Sequence, residues 1–110
     1  MRFPAMDNKK QIQEEIKTVA RSYISDANVL LFGSRAKESA SLDSDYDVLI
    51  ITNKEMSVVE KTPLRTAIRK HLLSEGIRSD ILIQSRTEIE KKKRLPGHFI
   101  RRILNDAILL

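Results

Sequence analysis

Two carboxylates separated by a single residue open an apolar run in the middle of the chain. They are Asp45 and Asp47 in the segment 45–52, and on an extended strand residues two apart face the same side, ~6.5 Å from each other. At that distance the charges repel by ~2–3 kcal/mol at an effective dielectric constant of about 20. Chains seldom begin a core strand in this way unless a cation offsets the repulsion. The spacing therefore predicts a divalent-metal site, and a third acid, Asp80, lies in a later apolar run.

The elements that must position these acids are predicted from hydrophobic periodicity. In the first half of the chain we expect a helix over 8–24 capped by Asp7, a strand over 28–32, one helical turn over 35–38, a polar loop over 39–44 and a strand over 45–52. A short helix at 58–59 is expected to stop before Pro63, and a longer helix to start at Thr62–Pro63 and end at Gly76. A strand over 77–84, a short helix capped by Thr87 and an apolar helical stripe over 99–107 are expected to follow. The apolar end, 108–110, is expected to dock on the sheet. This order predicts an α/β (α+β) fold with helices packed on a small mixed sheet.

Alternation along the two acidic strands predicts which side chains share a face. On the first, Asp45, Asp47, Leu49 and Ile51 oppose Tyr46, Val48 and Ile50, and on the second, Ile77, Ser79, Ile81 and Ile83 oppose Arg78, Asp80 and Leu82.

Composition limits the classes of protein to which the chain can belong. Its 110 residues suit a single domain, 1–110. Cys is absent, which excludes disulfides, a zinc–thiolate site and a thiol nucleophile. No run approaches the ~20 apolar residues of a membrane span, and the first residues do not resemble a signal peptide, so we expect a cytoplasmic protein. The net charge of +5 favours anionic partners without choosing among them.

The acids and the turn before them resemble a known signature. Gly33–Ser34, ten intervening residues and then Asp45–Tyr46–Asp47 ahead of apolar residues are similar to the motif of the nucleotidyltransferase superfamily that includes DNA polymerase beta. The closest likeness is to its minimal nucleotidyltransferases. Asp80 stands where the family has its third carboxylate, and residues 97–104 resemble the family's closing helix. The resemblance implies a nucleotidyltransferase fold like the polymerase beta palm.

The resemblance also implies roles for these residues, and each role has a physical reason. Gly33 has no Cβ to keep the backbone from a triphosphate, and the Ser34 hydroxyl can donate to phosphate oxygens. Asp45, Asp47 and Asp80 are hard oxygen ligands suited to two Mg²⁺ ions. The implied reaction is in-line attack of an acceptor hydroxyl on the α-phosphorus of ATP, with Asp80 as a candidate proton acceptor and pyrophosphate as the leaving group.

Several residues keep two interpretations. Arg35 contacts phosphate or is an exposed arginine at a helix start, and Asp43 is a loop acid rather than a ligand. Tyr46 fits core packing better than nucleotide stacking. His71 fits a half-buried structural position better than a catalytic one, and His98 follows the same preference.

Larger relatives carry a second domain that holds the acceptor. In these 110 residues we expect no such domain, so the acceptor is expected to be held by another subunit or to be a partner protein itself. Minimal nucleotidyltransferases are often paired with a HEPN-domain protein as a toxin–antitoxin system, so the resemblance implies an antitoxin that transfers AMP from ATP to a tyrosine of a HEPN-type toxin. Two alternatives remain: a non-catalytic partner-binding module of the same fold, and a nucleic-acid-binding domain that uses the basic residues 91–94 and 101–102. Oligomerisation stays open. With three Phe, two Tyr and no Trp, the chain offers little for base stacking.

Overall fold

The computed structural model describes residues 9–37 and 44–110. In chain order the elements are α1 (Lys9–Tyr23), β1 (Asn28–Phe32), α2 (Gly33–Ala36), β2 (Tyr46–Thr52), α3 (Val58–Ser74), β3 (Ser79–Ser85), α4 (Arg86–Lys93), α5 (Phe99–Asp106) and β4 (Ile108–Leu109). The expected Asp7 cap, Asp43 and most of the 39–44 loop lie outside the described residues. Within those residues no helix is both long enough and apolar enough to cross a membrane.

The described strands form one mixed sheet in the order β3-β2-β1-β4. β2 and β3 run parallel, and α3 is the crossover that a parallel pair requires. β1 is antiparallel to both of its neighbours, β2 and β4. The short β4 pairs Leu109 with Leu30, and the Leu110 amide donates to the carbonyl of Val29 (2.8 Å). The predicted mixed sheet and the docking of the apolar C-terminal segment are therefore confirmed.

The two faces of the sheet bury separate clusters, as the alternation predicts. Val48 and Ile50 of β2 belong to the larger cluster, which also contains Ile16 of α1 and Ile68 of α3. The opposite face of β2 packs against α4 and α5, and this smaller cluster consists of Leu49, Ile51, Ile89, Ile100 and Ile103. Burying such apolar side chains is the main stabilising term of the fold, at ~25 cal/mol per Å² removed from water.

One helix, α3, replaces the two helices predicted on either side of Pro63. Ser57 caps it, because its hydroxyl accepts from the Glu60 amide while the Glu60 side chain accepts from the Ser57 amide. This reciprocal cap starts the helix before Thr62–Pro63. Pro63 then lies in the second turn and leaves the carbonyl of Val59 without its helical donor. Val59 is 82% exposed, so water can satisfy that carbonyl and the helix continues.

The same competition between caps moves the start of α4. Thr87 was the predicted cap, but Ser85 holds that position, accepting from the Glu88 amide while Glu88 accepts from the Ser85 amide (3.1 and 2.8 Å). Thr87 and Glu90 have the same capping-box spacing as Ser85 and Glu88. Glu88 is also bonded to Lys61 of α3, whereas Glu90 pairs with Lys93 within α4, and the helix begins after the earlier cap.

The two acidic strands start later than predicted. β2 begins at Tyr46, whose amide donates to the carbonyl of Arg78 (2.9 Å), so Asp45 precedes the strand. β3 begins at Ser79 rather than Ile77, although Ile77 is buried. The helical turn predicted over 35–38 is instead α2, which starts directly at Gly33.

Candidate active site

Asp47 and Asp80 lie side by side near the start of the two parallel strands. They are direct register partners between β2 and β3, and neighbouring strands are ~4.8 Å apart. Both lie on the sheet face that carries α4 and α5, because Leu49 and Leu82, two residues further along each strand, pack in that cluster. Asp47 is half-buried and Asp80 is exposed. The fold thus brings together two of the three acids singled out in the sequence.

The electrostatics of this pair are unbalanced. Burial raises the pKa of the Asp47 carboxyl above its ordinary value, and the negative charges of Asp80 and Asp45 raise it further. Among the ion pairs between described residues, none involves Asp47 or Asp80. A cation beside the Asp47 carboxylate would be stabilising, because it would offset the repulsion from the neighbouring negative charges.

Asp45 lies close enough to affect Asp47 but contacts a different partner. Its Oδ1 atom is 3.4 Å from Nε of Arg78, and the two side chains are 53% and 54% exposed. The predicted arrangement, with Asp45 and Asp47 side by side on one face of the strand, is therefore only partly formed, because Asp45 contacts Arg78. Across residues 9–37 and 44–110, no three His, Cys, Asp or Glu side chains are grouped closely enough to hold a metal ion.

The turn after β1 is pressed against the Asp47 carboxylate. Gly33 has φ +73°, a left-handed conformation, and a Cβ added there would clash with Oδ2 of Asp47 and lie 3.2 Å from its Cγ. Both the backbone angle and the space require glycine at this position. Ser34 follows in α2. The Gly33–Ser34 turn and the acidic pair therefore form one contiguous site.

Arg35 acts on the backbone just before Asp45. Its Nη2 and Nε atoms donate to the carbonyl of Ser44 (2.9 and 3.2 Å), and its guanidinium carbon lies 4.3 Å from the centre of the Tyr46 ring. A cation above a ring face in this way is stabilising. The geometry gives Arg35 a role in fixing the entry to β2.

A cleft of about 440 Å³, lined by Asp80 of the acidic pair, lies between the sheet and α5. Its wall includes Asp80 and Gly33, and its apolar lining comes from Phe32, Leu82, Phe99 and Ile103. This volume lies in the usual range for small-molecule sites, ~300–1,000 Å³. Sequence reasoning placed Phe99 in the apolar stripe of the last helix but not in a cleft. The ring is half-exposed in the structure, and the signal available in the sequence was an aromatic residue at the start of an amphipathic helix.

The two histidines have structural contacts in the described part of the chain. His71 lies 3.2 Å from the hydroxyl of Tyr23 and 3.3 Å from Oε2 of Glu75, at the junction of α1 and α3. Nδ1 of His98 accepts from the Ile100 amide (3.1 Å), which caps α5, and its ring stacks on Phe99. These contacts agree with the structural interpretation of both residues.

The donor set fits Mg²⁺ in chemistry, although one ligand would have to change partners. Asp47 and Asp80 supply adjacent hard oxygens whose mutual repulsion a divalent cation relieves. Asp45 can join them by exchanging Arg78 for the cation. Half-exposed ion pairs of this kind are worth ~0–1 kcal/mol, so the exchange costs little.

Comparison with solved structures found the same fold over nearly the whole chain. One protein, described provisionally as a minimal nucleotidyltransferase, has a TM-score of 0.61 at 23% identity, covering 93% of this chain and 95% of its own. A chain from the complex of tri-AMPylated Shewanella oneidensis HEPN toxin with MNT antitoxin has a TM-score of 0.56 at 12% identity, over 92% and 70% of the two chains. A toxin–antitoxin complex with AMP-PNP gives 0.57 at 14% identity, over 93% and 71%. At these identities the likeness shows the fold.

Comparison with curated proteins found no match. The sequence does match the model of the nucleotidyltransferase domain over residues 10–110. This range contains the Gly33–Ser34 turn, all three acids and the cleft. The fold and the resemblance predicted from the sequence are therefore confirmed, and the chain belongs to the nucleotidyltransferase domain family.

Proposed function

We propose that this protein transfers a nucleoside monophosphate, AMP from ATP, to an acceptor hydroxyl and releases pyrophosphate. The observation that carries the proposal is the placement of Asp47 and Asp80 as register partners, with the Gly33 turn packed against Asp47. Two uncompensated carboxylates beside a glycine turn suit a metal-bound triphosphate. Membership of the nucleotidyltransferase family supports the same transfer chemistry.

In this proposal Asp45, Asp47 and Asp80 hold Mg²⁺, with two ions in the full site. Bound Mg²⁺ supplies charge neutralisation at the triphosphate and lowers the pKa of the acceptor hydroxyl. Gly33 leaves room for phosphate oxygens against the backbone, and the Ser34 hydroxyl donates to them. Arg35 keeps the backbone of Ser44 in place ahead of the acids.

The reaction conserves charge and atoms through a single displacement. The acceptor oxygen forms a bond to the α-phosphorus while the bond from that phosphorus to the pyrophosphate oxygen breaks in line. We assign to the Asp80 carboxylate the role of accepting the proton that the acceptor hydroxyl loses, and its exposure at the wall of the cleft supports this assignment. In this proposal, the proton-accepting role of Asp80 belongs to the transfer step and not to the binding of ATP.

We further propose that the acceptor is a tyrosine of a HEPN-type toxin and that this protein is its antitoxin. The support is the fold shared with a chain from the complex of tri-AMPylated HEPN toxin and MNT antitoxin. The AMP-PNP complex of another toxin–antitoxin pair with this fold supports ATP as the donor. The +5 net charge suits an acidic partner surface.

Incubation with α-labelled ATP, Mg²⁺ and a candidate HEPN protein tests this function. Asp47→Asn and Asp80→Asn should each abolish label transfer while the fold remains intact. Asp26→Asn is the matched control, since it removes an exposed carboxylate in the turn between α1 and β1 and should leave transfer unchanged. EDTA should abolish transfer in the unmodified protein. Transfer that survives both site variants would overturn the proposal.

A non-catalytic partner-binding module is the second candidate. The ion pair between Asp45 and Arg78 favours it, because it occupies one of the three proposed ligands. This module would bind the HEPN partner equally well with and without Asp47→Asn and would transfer no label. Steeply salt-dependent RNA binding that ignores the acid variants would instead indicate a nucleic-acid-binding domain.

A further inference from the structure

A second, smaller cavity lies on the far side of Asp45, between α3 and the start of β3. Its volume is about 190 Å³, and its lining consists of Asp45, Arg69, Leu73, Arg78 and Ser79. Two guanidinium groups, one hydroxyl and one carboxylate therefore surround a space that can hold a phosphate-sized group. The formal charge of the lining is positive by one unit, because two arginines outweigh one aspartate.

Ser79 gives an independent sign of a missing ligand. The residue is only 8% exposed, and its Oγ atom is buried with no hydrogen-bond partner among the described residues. Burying a hydroxyl without a partner is unfavourable, so such groups are rare unless something else satisfies them. A ligand oxygen in the cavity that Ser79 lines would provide the partner.

The two arginines are suited to an anion with several oxygens. Arg69 forms no ion pair with another described residue. Arg78 pairs with Asp45 at 3.4 Å, with both side chains about half exposed, and pairs of this kind contribute little. A guanidinium offers a planar fork of donors that matches phosphate oxygens. An incoming phosphate can therefore compete with Asp45 for Arg78.

We propose that Arg69, Arg78 and Ser79 form a phosphate-binding pocket separate from the Gly33–Ser34 turn. Gly33 approaches Asp47 from β1, whereas this pocket meets Asp45 from α3 and β3. The phosphate comes either from the end of a bound nucleoside triphosphate or from a separate phosphate or pyrophosphate ion. The inference does not depend on nucleotidyl transfer, since it rests on the pocket alone.

Calorimetric titration with pyrophosphate in EDTA tests the pocket without any metal or transfer. Arg69→Gln should weaken binding by about tenfold, the scale of a lost charge-assisted contact. The matched control is Arg65→Gln, which removes the same charge one turn earlier in α3 from a residue that does not line the cavity. It should change affinity by less than about twofold, because it removes no direct contact with the ion and solvent ions weaken the remaining charge effect. If the two variants weakened pyrophosphate binding equally, the effect would come from the protein's net charge and not from the pocket, and the proposal would be overturned.

Two further variants have readouts that a purely structural role would not give. Asp45→Asn removes one competitor for Arg78 and should tighten pyrophosphate binding by about threefold to fivefold. Ser79→Ala should weaken it by about fivefold without lowering the midpoint of urea unfolding, since the hydroxyl has no partner to lose. Unchanged or weaker binding by Asp45→Asn, or unchanged binding by Ser79→Ala, contradicts the proposal.

A last comparison distinguishes the two possible sources of the phosphate, a bound nucleotide and a separate ion. Arg69→Gln is titrated with a non-hydrolysable ATP analogue and Mg²⁺. About tenfold weaker binding of the analogue assigns the pocket to the terminal phosphates of the nucleotide. Unchanged binding of the analogue, with weakened pyrophosphate binding in EDTA, assigns it to a separate ion. Both results support the pocket, and label transfer remains the distinct test of the enzyme.

Discussion

Charged side chains are arranged differently at the two ends of the parallel strands β2 and β3. Like charges meet at one end, and opposite charges pair at the other. At the start of the strands, Asp47 and Asp80 are neighbours of like sign, and the pKa of Asp47 is raised. Beyond the other end, Nζ of Lys61 lies 2.8 Å from both carboxylate oxygens of Glu88. Burial opposes ionisation of Glu88, but the hydrogen bonds from Lys61 and the Ser85 amide outweigh it and lower its pKa.

The difference separates a cluster that stabilises the fold from one that costs stability. The pair of Lys61 and Glu88 joins α3 to α4, and Glu88 also completes the cap of α4. The acidic pair lacks an equivalent partner in the described residues, and such residues persist where function needs them. Each of the following variants tests one side of this comparison, beginning with the largest expected effect.

Lys61→Met should produce the largest loss of stability. Lys61 has a side chain only 10% exposed, and that of Glu88 is 30% exposed. Removing the cation leaves a carboxylate largely buried without its partner, so the free energy of unfolding should fall by about 2–3 kcal/mol, below the ~3–5 kcal/mol of fully buried pairs. Urea unfolding at pH 7 measures this change.

The control for Lys61 is a lysine whose partner is exposed. Lys93 lies 2.8 Å from Glu90 in α4, with both side chains about half exposed, so Lys93→Met should change stability by less than about 0.5 kcal/mol. Lys61→Met paired with Glu88→Gln should recover part of the loss, because the glutamine is neutral. If Lys61→Met and Lys93→Met lowered the free energy of unfolding equally, the buried pair would contribute no more to stability than the exposed one.

Gly33→Ala should destabilise the protein through two separable causes. A left-handed alanine costs ~1–2 kcal/mol, and its Cβ also clashes with Oδ2 of Asp47. Asp47→Ala removes the clash but not the backbone strain. The double variant should therefore be more stable than the sum of the single effects predicts. Strict additivity, measured by urea unfolding, would mean that the Gly33 turn does not press on the acid.

Much of this site was predictable because it depends on local spacing. Alternation placed Asp47 on the face of Leu49 and Asp80 on the face of Leu82, and the parallel pairing of the strands makes these one face of the sheet. The glycine after β1 marked the turn. The position of Asp45 was not predictable, because its partner Arg78 is distant in sequence and their contact depends on where the pairing of β2 with β3 begins. The cavity at Ser79 was also missed, because an unsatisfied hydroxyl has no signature in a sequence.

Asp47→Asn should stabilise the protein at neutral pH while removing transfer activity. Because folding raises the Asp47 pKa above its ordinary value of 3.8, the folded state binds the proton more tightly, and stability is lost as pH rises through that raised pKa. The neutral amide avoids this loss, with a gain of no more than ~1 kcal/mol because the group is only half-buried and solvent screens its charge. Asp26→Asn should give no gain. A less stable Asp47→Asn at pH 7 would contradict the unfavourable charge of the acidic pair.

A third charge cluster, at the junction of α1 and α3, lies between the two extremes and should show the smallest effect. A hydrogen bond with Glu75 raises the pKa of Glu15, burial and the Glu75 charge add to this, and His71 opposes it. With both carboxyls ionised, Oε1 of Glu75 is buried without a donor among the described residues, and a protonated Glu15 supplies that donor. Stability should therefore fall as pH rises above 4.5 through the raised pKa of Glu15.

Glu15→Gln keeps a donor at every pH, so its thermal midpoint should match that of the unmodified protein near pH 4 and exceed it at pH 7. Glu14→Gln, an exposed neighbour in α1, should leave the pH profile unchanged, and a parallel profile for Glu15→Gln would show that the two carboxyls do not share a proton.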